Sequence, residues 1–246
     1  MPRAGRLPAT LPALLDRLLR EDGARPLLTF YDLDTGERVE LSVASTENWV
    51  AKTANLLQDS LGVSAGARIH VDLPVHWQAV VWALACWQSG CVLVTGPGAS
   101  PDVAVVRHCA AAVADGDEVV ALALAPMGAR SVEPVPPGVL DYDAEVLGHG
   151  DRFVASDPPG PDSAAVEVNG TVMSHQALLT AVGTGAQPAR PRLLLTASPF
   201  GTESLPSWLA AIAAGGSLVL VTGADDPEHT RALDALVASE QVTARA

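Results

Sequence analysis

Residues 161–181 read PDSAAVEVNGTVMSHQALLTA, and they give the clearest indication of the fold class. The run at 164–168 predicts a short strand, and residues 171–175 predict the start of a helix with Ser174 as its N-cap. Only Asn169 and Gly170 separate the two elements, which leaves room for one tight turn with one or two free backbone N–H groups. A strand that leads directly into a helix is typical of a parallel α/β sheet.

The flanking sequence repeats this alternation of strand and helix. Upstream, apolar runs predict a strand at 69–73, a buried helix at 75–89 and a strand at 91–94. Downstream, they predict a strand at 193–196, a helix at 205–214, a strand at 218–221 and a final helix at 227–239. We therefore predict an α/β fold, with a doubly wound, mostly parallel sheet and flanking helices.

The N-terminal part shows a different pattern. Leucines at helical spacing predict an amphipathic helix at 11–20, and two extended runs at 27–31 and 38–41 predict a β-hairpin. Ser45 is expected to cap a helix over 45–59. We predict a single domain over 1–246. Proline-rich surface segments can divide it into a first lobe at 1–155 and a second lobe at 162–246.

Composition narrows the classes of partner. The net charge is −13, so the surface repels nucleic acid and anionic lipid, and neither is an expected partner. The sequence shows no signal peptide and no apolar span of about 20 residues, so a cytoplasmic location is expected. Cys86, Cys91 and Cys109 are expected to be buried reduced thiols, and the six histidines show no metal-ligand spacing, so no metal site is predicted.

Several motifs, in this order, resemble the N-terminal half of the acyl-adenylate-forming superfamily, which includes acyl-CoA synthetases, luciferases and nonribosomal adenylation domains. They are PLLTFYDLDTGERVELS (26–42), LGVSAGARIHVDLP (61–74), ALACWQSGCVLV (83–94), the stretch at 161–181, PRLLLTASPF (191–200) and LAAIAAGGSLVLV (209–221). The resemblance covers about residues 10–246 and implies the fold of the N-terminal part of the large domain. The chain looks most similar to short actinobacterial members with no assigned role, and its arginine-rich basic residues suit a GC-rich genome.

The resemblance also implies what is missing. In this superfamily a Ser/Thr/Gly-rich loop ending in Pro-Lys-Gly follows the strand and grips the phosphates of ATP, whereas here Asn169 and Gly170 stand alone. The single lysine, Lys52, is expected on the solvated side of the 45–59 helix and cannot replace the catalytic lysine of the family's C-terminal domain. These features predict a degenerate homologue with a binding or regulatory role, no catalytic residue and no cofactor.

Six residues are candidates for a relic nucleotide site. Residues 200–204, Phe-Gly-Thr-Glu-Ser, resemble the family's Tyr-Gly-x-Thr-Glu, in which Thr contacts the adenylate phosphate and Glu holds Mg²⁺. The same residues also suit helix capping, which is the competing interpretation. The candidates are Asn169, Gly170, Thr171, Ser174, Thr202 and Glu203; His175 is expected to be structural.

Two other functions remain open from the sequence. One is a minimal or partner-completed ATP-dependent acid–AMP/CoA ligase, which would use ATP and Mg²⁺. The other is an oligomeric interaction module, a homodimer or a complex with a partner protein, held by an exposed apolar surface around Trp208 and the final helix.

Overall fold

A computed structural model describes residues 7–96, 100–130, 134–183 and 190–246. The sequence Gly96-Pro97-Gly98, which is typical of a turn, lies largely outside these ranges. The helices are α1 (Leu11–Asp22), α2 (Val43–Asn55), α3 (Trp77–Gln88), α4 (Tyr142–Glu145), α5 (His175–Gly183), α6 (Ser204–Ala213) and α7 (Thr230–Ser239). The strands are β1 (Pro26–Asp32), β2 (Arg38–Ser42), β3 (Arg68–Asp72), β4 (Val92–Thr95), β5 (Val103–Arg107), β6 (Glu118–Leu122), β7 (Val139–Asp141), β8 (Ala164–Val168), β9 (Thr171–Ser174), β10 (Arg192–Leu195), β11 (Ser217–Thr222) and β12 (Ala244–Arg245).

The strands form two mostly parallel sheets flanked by helices, which confirms the predicted α/β class. The larger sheet has the order β7-β6-β5-β3-β4-β8-β9, and the smaller has the order β12-β10-β11-β1-β2. Among the described strand pairs, only β1–β2 and β8–β9 are antiparallel. Two sheets form instead of one because β1 pairs with the late strand β11, Leu28 lying opposite Leu218. The single domain over 1–246, with its lobes at 1–155 and 162–246, stays a prediction.

The two sheets meet through a pair of buried tryptophans. Trp87 on α3 stacks on Trp208 on α6 with ring centroids 5.8 Å apart. The indole N–H of Trp87 donates to Ala165 O at 2.7 Å, and that of Trp208 donates to Pro199 O at 2.9 Å. Trp208 is 0% exposed, so the prediction of an exposed apolar surface around it is wrong. The aromatic stack against the other sheet removes this side chain from solvent.

The cap and the lysine of α2 also differ from expectation. The helix begins at Val43, because Ser42 ends β2 in an extended conformation and its Oγ accepts from Ser45 N at 3.1 Å. Lys52 does not lie free in solvent. Its Nζ donates to His149 O at 2.6 Å and pairs with Asp151 at 2.8 Å. Lys52 therefore ties α2 to the segment that follows α4.

The burial of the three cysteines agrees with the expectation only in part. Cys86 and Cys91 are buried, as predicted, whereas Cys109 is exposed, because it lies on a short 3-10 turn after β5. No helix within the described ranges is long and apolar enough to cross a membrane.

Candidate functional site

Residues 164–174 form a β-hairpin. β8 and β9 pair antiparallel, with Val168 opposite Thr171 and Glu167 opposite Val172. Asn169 has φ 48° and Gly170 has φ 79°, the left-handed conformations that a tight two-residue hairpin turn requires. The predicted helix start at 171–175 is therefore wrong for 171–174. The Asn-Gly pair followed by β-branched residues was a hairpin signal in the sequence.

The turn packs against the end of the neighbouring parallel strand. Asn169 N donates to Thr95 O at 3.4 Å, beyond the last residue pair of β4 and β8. The Asn169 side-chain oxygen lies so close to Gly96 that a Cβ there would collide with it. Gly170 has open space around its Cα. This turn occupies the position that the resemblance assigns to the phosphate loop.

Ser174 and His175 hold the start of α5. Ser174 Oγ accepts from Ala177 N at 3.2 Å, so Ser174 caps the helix as predicted. The His175 ring is buried, and its Nδ1 accepts from Leu11 N at 3.3 Å, at the first turn of α1. Burial lowers the pKa of His175 to about 4, which keeps the ring neutral. His175 thus has the structural role expected of it.

Residues 202 and 203 lie before α6 and do not cap it with their side chains. Glu203 occupies the N-cap position, but its side chain makes no capping hydrogen bond, so the capping interpretation is wrong for this residue. Its backbone is helical (φ −90°, ψ −37°), whereas a capping side chain needs an extended backbone to reach the first-turn N–H groups. Thr202 and Glu203 are both exposed.

An apolar cavity of about 240 Å³ lies between the hairpin, α5 and the start of α6. Among the described residues that line it, none carries a charge and Thr202 alone carries a side-chain hydroxyl. The lining residues are Val166, Val168, Met173, Leu178, Ala181, Val182, Phe200, Gly201, Thr202, Leu205 and Pro206. The sequence does not reveal this cavity. The spacing of Val166 and Val168, and that of Leu178 and Val182, predicts that these residues face the core, but it does not predict a gap between them.

Of the six nucleotide-site candidates, Thr202 alone contributes to this wall. Asn169 and Gly170 form the hairpin turn, Thr171 begins β9, and Ser174 caps α5. The structure therefore spreads the candidates over the hairpin and two helix starts, and their nucleotide role stays a prediction. In the part of the chain that the structure describes, no three His, Cys, Asp or Glu side chains are grouped to hold a metal ion.

The fold is that of the N-terminal half of adenylate-forming ligases. The chain superposes on an acyl-CoA synthetase from Brucella canis with a TM-score of 0.77 and 18% identity, covering 96% of this chain and 46% of that one. It superposes on the anthranilate CoA ligase AuaEII, solved with anthranoyl-AMP, with a TM-score of 0.75 and 14% identity, covering 99% of this chain and 51% of that one. The chain thus spans about half the length of these ligases.

Sequence comparison assigns the chain to a particular family. A TIGR03089 family protein of Mycobacterium tuberculosis is 38% identical over 246 residues, which cover 96% of this chain and 98% of the relative. The chain therefore belongs to the TIGR03089 family. No protein-family model matches it.

Proposed function

We propose that this chain is a non-catalytic relative of the adenylate-forming ligases that binds a small molecule in the cavity beside the β8–β9 hairpin. The observation that carries the proposal is the two-residue turn at Asn169 and Gly170. Gripping a triphosphate takes several converging backbone N–H groups and cations, and a turn of this length offers one or two N–H groups. The pseudoenzyme role is thus supported by backbone geometry as well as by sequence.

The cations near the hairpin support the same proposal. The guanidinium of Arg68 on β3 pairs with the Glu167 carboxylate on β8, so its charge is already neutralised. Lys52 is engaged with His149 and Asp151 on another part of the molecule. A phosphate group at the turn would therefore have to compete with Glu167 for the Arg68 guanidinium.

Pyrophosphate release distinguishes a catalytic from a non-catalytic role. Purified protein incubated with ATP, Mg²⁺ and a broad panel of carboxylic acids is expected to release no pyrophosphate above the protein-free blank. The measurement is a coupled pyrophosphate assay, with an active acyl-CoA synthetase as the positive control. Release that depends on the protein and on an added acid would contradict the proposal.

A partner-completed ATP-dependent acid–AMP/CoA ligase is the second candidate function. Thr202 lies in the cavity wall and the neighbouring Glu203 is exposed, so a phosphate and Mg²⁺ could reach both. Thr171 and Ser174 would be the nearest contacts on the hairpin side. In this case, pyrophosphate release would appear when the missing half is supplied, and Glu203→Ala would abolish it.

Self-association is a further role that the hairpin supports. β9 is an outer strand without a charged residue, and Val172 is 55% exposed, whereas the outer strands β2, β7 and β12 each carry a charged side chain. Uncharged outer strands readily pair with another chain. We expect a homodimer joined through β9, and Val172→Lys is expected to yield monomers. Light scattering that finds wild-type monomers at high concentration would rule out this dimer.

A further inference from the structure

The cavity wall is apolar on every element that forms it. β8 contributes Val166 and Val168, α5 contributes Leu178 and Val182, and the start of α6 contributes Leu205. Val166, Leu178, Val182 and Leu205 belong to the main hydrophobic core, whereas the lining residues Ala181, Thr202 and Pro206 are exposed, so the cavity extends from the surface into that core. A ligand in this space exchanges water for aliphatic and aromatic surface.

Charged groups near the cavity disfavour an anion. Glu167 alternates with Val166 and Val168 along β8, so its side chain and the paired Arg68 lie on the opposite face of the strand. Glu203 follows Thr202 directly along the chain and is exposed, so it adds a negative charge to the segment that contributes Thr202 to the wall. The chain as a whole carries a net charge of −13. A carboxylate drawn into this cavity would lose its water, and no described lining residue would offer it a cation.

The volume of the cavity limits the size of the ligand. An apolar cavity of about 150 Å³ can hold benzene, so 240 Å³ admits a molecule of roughly ten non-hydrogen atoms. Among the described lining residues, Thr202 supplies the one side-chain hydroxyl, which can satisfy a single uncharged polar end.

We propose that this cavity binds a small uncharged molecule with an apolar body, such as an amide, ester or alcohol of a medium-length chain, and discriminates against the free carboxylic acid. This inference rests on the proposed function, because it names the ligand class of the same site. A ligase half-site would show the opposite preference, since its substrate must present a carboxylate.

A matched pair of probes tests this preference. Octanamide and octanoate have the same chain and nearly the same shape, and they differ in charge. The chain has three methionines, and Met173 lies in the cavity wall, so a methionine-methyl ¹³C spectrum with Met173 assigned through Met173→Leu reports occupancy directly. At pH 7.5 without ATP, octanamide is expected to shift the Met173 signal with an affinity at least tenfold higher than that of octanoate.

Two variants of α5 locate the binding. Ala181 lines the cavity, whereas Ala177 is exposed one turn earlier on the same helix and does not line it. Ala181→Phe is expected to weaken octanamide binding at least tenfold, and Ala177→Phe is expected to leave it unchanged. Each variant replaces an exposed alanine with phenylalanine, so Ala177→Phe controls for a general effect of the new phenylalanine on folding.

Three outcomes would overturn the inference: octanoate binding as tightly as octanamide, Ala181→Phe leaving octanamide binding intact, or neither probe shifting Met173 at millimolar concentration. The pyrophosphate assay is independent of this experiment, because no nucleotide is present in the titration. Preferential binding of octanamide together with pyrophosphate release would overturn the non-catalytic role and leave the ligand class standing.

Discussion

Trp208→Ala is expected to lower the free energy of unfolding by about 3–5 kcal/mol, the usual cost of truncating a fully buried tryptophan. The side chain is wholly buried, stacks on Trp87 and donates to Pro199 O at 2.9 Å. Its removal leaves a void where α6 meets α3 and takes away one of the contacts between the elements of the two sheets. A loss of this size is a large fraction of the stability of a typical domain.

The measurement is urea denaturation followed by circular dichroism, because fluorescence would lose one of its reporters. Trp208→Phe keeps part of the ring contact and gives up the hydrogen bond, so a smaller loss is expected. Val154→Ala is the surface control, since Val154 is largely exposed and should change the free energy by less than about 0.5 kcal/mol. A loss below about 1 kcal/mol for Trp208→Ala would show that this stack does not hold the sheets together.

Acid is expected to destabilise the protein strongly through two buried histidines. His76 caps α3, with its Nδ1 accepting from Gln78 N at 3.2 Å, and His175 Nδ1 accepts from Leu11 N at the first turn of α1. Burial lowers the pKa of each ring from 6.5 to about 4, although the charge of Asp32 raises that of His76 slightly. Protonation would also turn each accepting nitrogen into a donor facing another donor.

The direction of the pH dependence follows from proton linkage. Between pH 6.5 and about 4 the unfolded chain binds protons on these rings and the folded chain does not, so stability is complete above pH 6.5 and falls as the pH drops. Each histidine accounts for about 3 kcal/mol of this loss. The raised pKa values of Glu47 and Asp143 act in the opposite direction, because the folded chain takes up those protons more readily.

Denaturation midpoints at pH 7.5, 6.5, 5.5 and 4.5 measure the effect. Asn at either position keeps an accepting oxygen and does not titrate, so His76→Asn and His175→Asn are each expected to remove about half of the pH dependence. The double variant should then lose little or no stability between pH 7.5 and about pH 5. An unchanged profile in the double variant would assign the acid sensitivity to other groups.

Most of the secondary structure could be predicted because its signals are local. The leucine spacing of α1, the hairpin of β1 and β2, and the apolar runs of β3, α3 and β4 all fall within one or two residues of the observed elements. The wrong prediction at 171–174 also concerns a local signal. An Asn-Gly pair favours a hairpin turn, whereas the prediction placed a strand-to-helix connection there. The family resemblance favoured that joint over the hairpin.

The site was harder to predict, because its properties depend on what packs across the sheets. The sequence placed Asn169, Gly170 and Thr202 as candidates but could not place the cavity, whose wall combines β8, β9, α5 and α6. The environments of Lys52 and Trp208 could not be predicted for the same reason. Lys52 was expected in solvent but contacts His149 and Asp151, and Trp208 was expected at an exposed edge but is buried.

The α/β class, the likeness to adenylate-forming ligases and the two-residue link at 169–170 could be inferred from the amino-acid sequence, because periodicity, turn chemistry and motif order are properties of neighbouring residues. The presence of two sheets, the stacking of Trp87 on Trp208 and the apolar cavity beside the hairpin became visible in the folded chain. Burial and cavity shape arise from contacts between residues far apart in the chain, such as Leu28 with Leu218, and these contacts leave no local trace in the sequence.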